Sequence, residues 1–264
     1  MESKLSRFEN ILLDVDGNVA TLTMNRPKKL NAIDRPMLKD MLEAIEEVNM
    51  DDSIRVAILT GEGRAFSAGA DLTSKTAQAR DVIDVLENDY RPVLMSITRA
   101  PKPWISSVNG AAAGVGSAFA MNCDLTVMAD NAYIYQAFAA IGLIPDGGAT
   151  WHLARTIGRK RAYELIVTGE KLAAEKCLEL GLCNRVVPAD RLLEETRAWA
   201  DEIALKAPLS LRHAKSTVLT AVESDLGTTY SKEAYLQQRC IQSEDAMEGV
   251  RAFAEKRPPV FKGR

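Results

Sequence analysis

Strands alternating with helices through the first half of the chain, followed by helices alone, predict an α/β core carrying a helical C-terminal region. The 264 residues are 47% hydrophobic and 26% charged, a globular composition that allows one large domain, or one plus a small appendage. No repeat, linker or low-complexity segment interrupts the pattern.

The elements follow in order. Ile11–Val15 and Val19–Met24 are β-rich runs around Asp16-Gly17-Asn18, a strong turn signal, and read as a hairpin. Asp34 is placed to cap a helix with Pro36 in its first turn. Met37, Leu38, Met41, Leu42, Ile45 and Val48 then recur at helical spacing. Arg55–Thr60 reads as a buried strand ended by Gly61-Glu62-Gly63. Thr76–Arg99 reads as a helix broken near Pro92. Trp104–Val108 is a strand stopped by Asn109-Gly110, a Gly- and Ala-rich helix start follows at Gly114, and Leu125–Met128 is another strand. After Gly147-Gly148 the chain reads as mostly helical to Glu255.

Composition narrows the function classes. The net charge of −3 and the absence of like-charge blocks argue against a nucleic-acid partner. The opening MESKLSRFEN mixes charge signs and has no apolar centre, so it does not read as a secretory signal. The most apolar stretch, Ala111–Met121, is too short to span a membrane. A cytoplasmic or similarly reducing location is the expectation. Cys123, Cys177, Cys183 and Cys240 form no CxxC pair and there are only two histidines, His152 and His213, so buried thiols and no metal are expected.

Three constellations carry chemistry. The first is Ala65-Phe66-Ser67-Ala68-Gly69-Ala70-Asp71. The second is Asn109 to Gly116, running into a helix at Ser117–Met121. Small residues let a ligand approach the backbone, and a helix N-terminus presents unpaired N–H groups. One donor from each turn could meet a single oxygen as an oxyanion hole, although small residues in such turns more often serve tight packing. Neither turn fits a dinucleotide, phosphate-loop or nucleophile-elbow motif. The third is Ile141 to Trp151, where Asp146 stands between Pro145 and Gly147. Turn chemistry accounts for such an Asp, but Ile141, Leu143, Ile144 and Trp151 offer an apolar setting able to raise a carboxyl pKa.

Taken together, Met24-Asn25-Arg26-Pro27 with Leu30-Asn31-Ala32, Phe66 to Leu72, Val108 to Gly116, Cys123-Asp124, Gly142 to Pro145, Thr168-Gly169, Gly181-Leu182 and Glu248 to Phe253 with Lys256-Arg257 resemble, in order and over almost the whole chain, the enoyl-CoA hydratase/isomerase (crotonase) superfamily. The resemblance implies a ClpP/crotonase-like spiral of ββα turns over residues 1–200. It implies a helical region at 201–264 that builds homotrimers or dimers of trimers. It implies an acyl-CoA substrate, with coenzyme A as part of the thioester and no separate cofactor. It assigns the oxyanion donors to the N–H groups of Ala68 and Val115. It lines the coenzyme A channel with Ala68, Gly69, Ala70, Asp71 and Leu72, with Gly114 at the second turn. Lys28, Lys29 and Leu30 fall near the nucleotide end. Phe253 and Lys256 reach the nucleotide across a subunit interface. Phe138 and Trp151, with residues of Lys75–Tyr90, fall in the acyl pocket.

The departures narrow the chemistry. Family hydratases hold water with two glutamates. At the matching positions this chain has Ala118 and Phe138, which transfer no proton. Ile144 to Gly148 instead resembles the phenylacetate-pathway ring-rearranging and related enoyl-CoA isomerases, where the matching Asp moves the proton. Asp146 is therefore the expected proton carrier. Hydration in fatty-acid or aromatic-acid degradation, aryl-CoA dehalogenation or hydrolysis, and non-catalytic acyl-CoA binding are the alternatives.

Overall fold

The computed structural model describes residues 8–73 and 81–264. β1 (Ile11–Asp16) and β2 (Val19–Met24) pair antiparallel with Asp16 opposite Val19, so Gly17-Asn18 is a two-residue turn. Asp34 caps α1 (Arg35–Met50) by accepting the Met37 N–H at 3.1 Å, and Met37, Leu38, Met41, Ile45 and Val48 are buried.

The chain then repeats one unit. β3 (Val56–Gly61), β4 (Ala65–Ser67) and a helical stretch are followed by β5 (Trp104–Val108), β6 (Ala111–Ala113) and α4 (Val115–Asn122). Next come β7 (Leu125–Ala129), β8 (Tyr133–Tyr135), α5 (Ala149–Thr156) and α6 (Arg159–Thr168). The first helical stretch comprises α2 (Val82–Val85), a π turn at Leu86–Tyr90 and α3 (Arg91–Thr98). The first strand of each unit joins one sheet and the second joins another. Among the described residues the orders are β1-β2-β3-β5-β7-β10 and β4-β6-β8-β9. β3, β5 and β7 run parallel, as do β4, β6 and β8, which makes the ββα spiral. β9 (Lys171–Ala173), α7 (Ala174–Glu179) and β10 (Arg185–Val187) complete the two sheets.

This topology creates the site. Parallel strands β4, β6 and β8 end side by side, so the turns after Ser67, Ala113 and Tyr135 crowd one edge. Ligands in parallel α/β sheets gather at such carboxyl ends.

Three differences from the sequence expectations have physical causes. The segments expected as loops at Ala65 and Ala111 begin as strands, and β8, β9 and β10 were not expected. Each of these five strands has three residues, too few to display a period of two. The expected break near Pro92 is a π turn inside a continuous helix. The Arg91 N–H reaches back to the Leu86 carbonyl, and Pro92, with no N–H of its own, falls in the first turn of α3. The expected stretch Thr76–Arg80 lies outside the described residues.

α8 (Leu192–Ala204) lies on the larger sheet, where Thr196 Oγ1 and Ser107 Oγ meet at 3.1 Å, and its last residue is still buried. The outer helical layer therefore starts after Ala204. α9 (Pro208–Glu223) has no buried residue, and α10 (Leu226–Ile241) has only Thr229. They leave Val218, Val222, Tyr230 and Tyr235 exposed, and α11 (Glu244–Glu255) exposes Met247, Val250 and Phe253. No helix among the described residues is long and apolar enough to cross a membrane.

Candidate active site

The first turn leaves β4 at Ser67. Gly69 has φ +93°, and a β-carbon built on it would stand 2.8 Å from the Ala113 carbonyl oxygen and 3.5 Å from Gly114 Cα. A glycine is needed here, because any side chain would push the two turns apart. Within this turn each amide has a traceable fate. Ala68 N–H donates to the Leu30 carbonyl at 2.8 Å, Gly69 N–H to Ser67 Oγ at 3.1 Å, and Asp71 N–H to the Ile33 carbonyl at 2.8 Å. Ala70 N–H has no acceptor among the described residues. This corrects the expected donor. Ala68 is occupied by the chain itself, and the open amide belongs to Ala70.

The second turn leaves β6 at Ala113. Gly114, at φ +52° and ψ −133°, donates its N–H to the Tyr135 carbonyl at 2.9 Å. Val115 follows as the first residue of α4, where an N–H has no intrahelical partner. Ala70 and Val115 each follow the glycine at which the two turns touch. Two unpaired main-chain donors thus stand side by side, and α4 adds the positive end of its dipole.

The turn that carries Asp146 packs on the start of α4. A β-carbon on the next residue, Gly147, would lie 2.9 Å from Ala118 Cβ and 3.0 Å from Val115 Cγ2, so this turn packs on the first turns of α4. Asn122 fixes it there, donating from Nδ2 to the Gly147 carbonyl at 3.0 Å and to the Ala118 carbonyl at 2.7 Å. Asp146 Oδ1 is buried with no hydrogen-bond partner among the described residues, and burial pushes the carboxyl pKa up to about 6. An unsatisfied buried carboxyl oxygen is costly and marks a place where a proton or ligand is expected. Burial, and next the charge of Asp146, raise the pKa of buried Tyr90 and keep its phenol protonated.

The remaining expected residues divide. Phe138 is buried, with its ring tip 3.9 Å from where a Gly114 β-carbon would be, so it walls the second turn. Leu30 is brought to the first turn through its carbonyl. Asp71 is buried and ion-paired with Lys29 at 2.8 Å and Arg26 at 3.1 Å. Lys29 and its hydrogen bonds to Thr73 hold its carboxyl well below the usual range. It thus ties the Pro27–Lys29 turn to the site. Lys28 is exposed, and Leu72 is 57% exposed. Trp151 lies on α5, edge-on to His152 at 4.8 Å and under the Arg155 guanidinium. Phe253 and Lys256 are at the end of α11, Phe253 87% exposed, with no hydrogen bond or ion pair to either turn. Lys75 to Arg80 lie outside the described residues.

Ser67 Oγ donates to the Asn31 carbonyl at 2.8 Å and Ser117 Oγ to the Gly114 carbonyl at 2.7 Å. Burial lowers the His152 pKa to about 4, so it stays neutral. Among the described residues no cluster of three or more His, Cys, Asp or Glu is arranged to hold a metal.

Comparison with known proteins fits this geometry. Residues 14–264 match the family model described as enoyl-CoA hydratase/isomerase. The chain is 38% identical to 1,2-epoxyphenylacetyl-CoA isomerase of Escherichia coli K12, over 97% of this chain and all of that protein. It is 36% identical to 2,3-dehydroadipyl-CoA hydratase of the same organism, with 97% and 100% covered. The crystal structure of an enoyl-CoA hydratase from Bacillus anthracis superposes with a TM-score of 0.91 at 32% identity, covering 97% of this chain and 100% of that one. The chain belongs to the enoyl-CoA hydratase/isomerase family.

Proposed function

We propose that this acyl-CoA enzyme shifts the double bond of an enoyl-CoA, with Asp146 carrying the proton and the amides of Ala70 and Val115 holding the enolate. The observation that supports the reading is the buried Asp146 Oδ1, without a hydrogen-bond partner among the described residues, in a turn that packs on Val115 and Ala118 at the start of α4. The steps balance without a second reactant. The Asp146 carboxylate takes a proton from the α-carbon and the electrons move onto the thioester oxygen. That oxyanion is held by the two N–H groups. The electrons then return through the chain as Asp146 gives the proton to the γ-carbon. Water addition needs a further group to position water, and Ala118 and Phe138 supply none. A pKa raised to about 6 suits a group that must both accept and return a proton near neutrality. Each oxyanion donor contributes about 3–4 kcal/mol to the barrier reduction in comparable sites.

Coenzyme A would extend along the first turn past Lys28 and Lys29, with Gly69, Ala70, Asp71 and Leu72 lining its path. The acyl group would run between Phe138 and the Tyr90 region, with Trp151 farther along. The exposed apolar faces of α9, α10 and α11 support assembly into trimers, in which a neighbouring copy would bring Phe253 and Lys256 to the nucleotide.

The test is to incubate a 3-enoyl-CoA with wild type and with Asp146→Asn. Conversion to the 2-enoyl isomer by wild type, reduced about 10²–10⁴-fold in the variant, is expected. Equal rates would remove Asp146 from the mechanism. Accumulation of 3-hydroxyacyl-CoA from a 2-enoyl-CoA would replace isomerisation by hydration.

A further inference from the structure

An oxyanion hole works only if its amides are aimed before the substrate arrives, so what fixes each peptide matters as much as the peptide. The C=O and N–H of one trans peptide point in opposite directions. The orientation of Val115 N–H is therefore set by whatever holds the Gly114 carbonyl.

Two groups hold it, and a third backs one of them. Ser117 N–H donates to the Gly114 oxygen at 3.0 Å and Ser117 Oγ donates to the same oxygen at 2.7 Å. Behind the hydroxyl, Gln136 Nε2 donates to Ser117 Oγ at 2.9 Å. Both side chains are wholly buried. Accepting from Gln136 keeps the serine proton off that side, which leaves the Gly114 oxygen as its acceptor, so the amide helps set the direction of the serine proton. Gln136 directly follows Tyr135, whose carbonyl takes the Gly114 N–H, so the end of β8 grips both sides of Gly114.

Two observations show that this is more than packing. Gln136 Oε1 is buried with no partner among the described residues, so half of its amide is left unsatisfied while the other half makes this one bond. An apolar side chain would fill the space without that cost. Gly114 also sits at φ +52°, ψ −133°, a conformation in which rotation of the following peptide meets no β-carbon. Without the hydroxyl, the peptide keeps only the main-chain bond from Ser117 N–H and is held less firmly in the orientation that aims its own N–H.

We infer that Ser117 and Gln136 are positioning residues, a buried two-step relay that holds the Gly114–Val115 peptide with its N–H aimed at the thioester oxygen. The inference rests on the oxyanion reading above. It predicts a graded loss by donor strength at position 117. Ser117→Cys keeps the size with a weaker donor and Ser117→Ala removes the donor. The turnover number falls about 3-fold for Cys and about 10- to 50-fold for Ala, short of the 10²–10³ expected for outright loss of an oxyanion donor. Gln136→Met, similar in size without the amide, lies between wild type and Ser117→Ala. KM stays within about 2-fold throughout, because the lost interaction acts in the transition state.

The deciding measurement is the infrared carbonyl stretch of a straight-chain 2-enoyl-CoA, carbon-13 labelled at the thioester carbonyl and bound to each protein, with melting temperatures recorded alongside. In wild type the stretch moves to lower frequency on binding, and the shift shrinks in the order Ser, Cys, Ala. If wild type gives no shift, the oxyanion reading itself fails and the relay falls with it. If wild type gives the shift and Ser117→Ala and Gln136→Met keep both shift and turnover number, the reading stands and the relay is wrong. Losses that track melting temperature, with no change in the shift, assign the pair to packing and also overturn the inference.

Discussion

The two turns that meet at the site are held by different means. In the first, the Gly69 carbonyl accepts the Ile33 N–H at 2.7 Å, so the peptide that ends in Ala70 N–H is oriented by main chain. In the second, the Gly114 carbonyl is held by its own helix turn and by the Ser117 hydroxyl backed by Gln136. Main-chain bonds survive side-chain substitution and side-chain bonds do not. The first donor is therefore robust and the second is tunable. Asp146 belongs to the second group, since its turn is docked on α4 by Asn122 and by contact with Ala118.

That difference can be broken at several points. The largest effect is expected where a substitution spoils both turns at once. Gly69→Ala puts a β-carbon 2.8 Å from the Ala113 oxygen in a residue at φ +93°. It should lower kcat/KM by about 10²–10³-fold, measured by steady-state kinetics on a 3-enoyl-CoA. Ala118→Glu acts on the second group alone. It introduces a carboxylate where hydratases carry one, but the Gly147 turn already packs on the Ala118 methyl. Isomerisation should fall about 10²-fold through displacement of Asp146, with no hydration gained. Product analysis by mass spectrometry separates the two outcomes.

A smaller, graded effect comes from pH. In the proposed mechanism the carboxylate form of Asp146 is the base, and burial raises its pKa to about 6. As pH falls below that value kcat/KM should drop about tenfold per unit, and the residual activity of Asp146→Asn should lack this limb. The stability effect has the opposite sense. A carboxyl with a folded pKa above its unfolded value destabilises the fold once ionised, so this contribution weakens stability between pH about 4 and about 6 and is constant above. Asp146→Asn should be more stable than wild type at pH 7, by about 1–2 kcal/mol after allowance for partial exposure, as read by denaturant melts.

The smallest effect on activity is expected far from both turns. Buried Lys102 donates from Nζ to the carbonyls of Val48, Asp51 and Ile54 at 2.6–2.8 Å, closing the end of α1. Lys102→Met should cost about 2–3 kcal/mol of stability and leave the turnover number unchanged below the melting transition.

The same contrast explains what was legible in the sequence. α1 announced itself through the Asp34 cap and a run of apolar residues at helical spacing, which are local signals. Asp146 was singled out by the apolar residues around it and by the family resemblance, yet Ile141, Leu143 and Ile144 are exposed, so that local signal misjudged what buries the carboxyl. The three-residue strand Ala111–Ala113 gave no local signal, because three alanines carry no strand pattern and only pairing with Ala65–Ser67 and Tyr133–Tyr135 makes them one. The choice between Ala68 and Ala70 was equally hidden. Both flank Gly69, and what separates them is that the Leu30 carbonyl meets one and not the other, across nearly forty residues of chain. Gln136 gave no signal at all, since its role depends on a serine nineteen positions earlier.

The central claim is tested most directly by a crystal structure with an acyl-CoA bound. The account predicts a thioester oxygen about 2.7–3.1 Å from both Ala70 N and Val115 N, with a carboxyl oxygen of Asp146 facing the α-carbon and Ala68 N–H still on Leu30. A thioester oxygen bound by Ala68 N–H, or turned away from Val115, would contradict it.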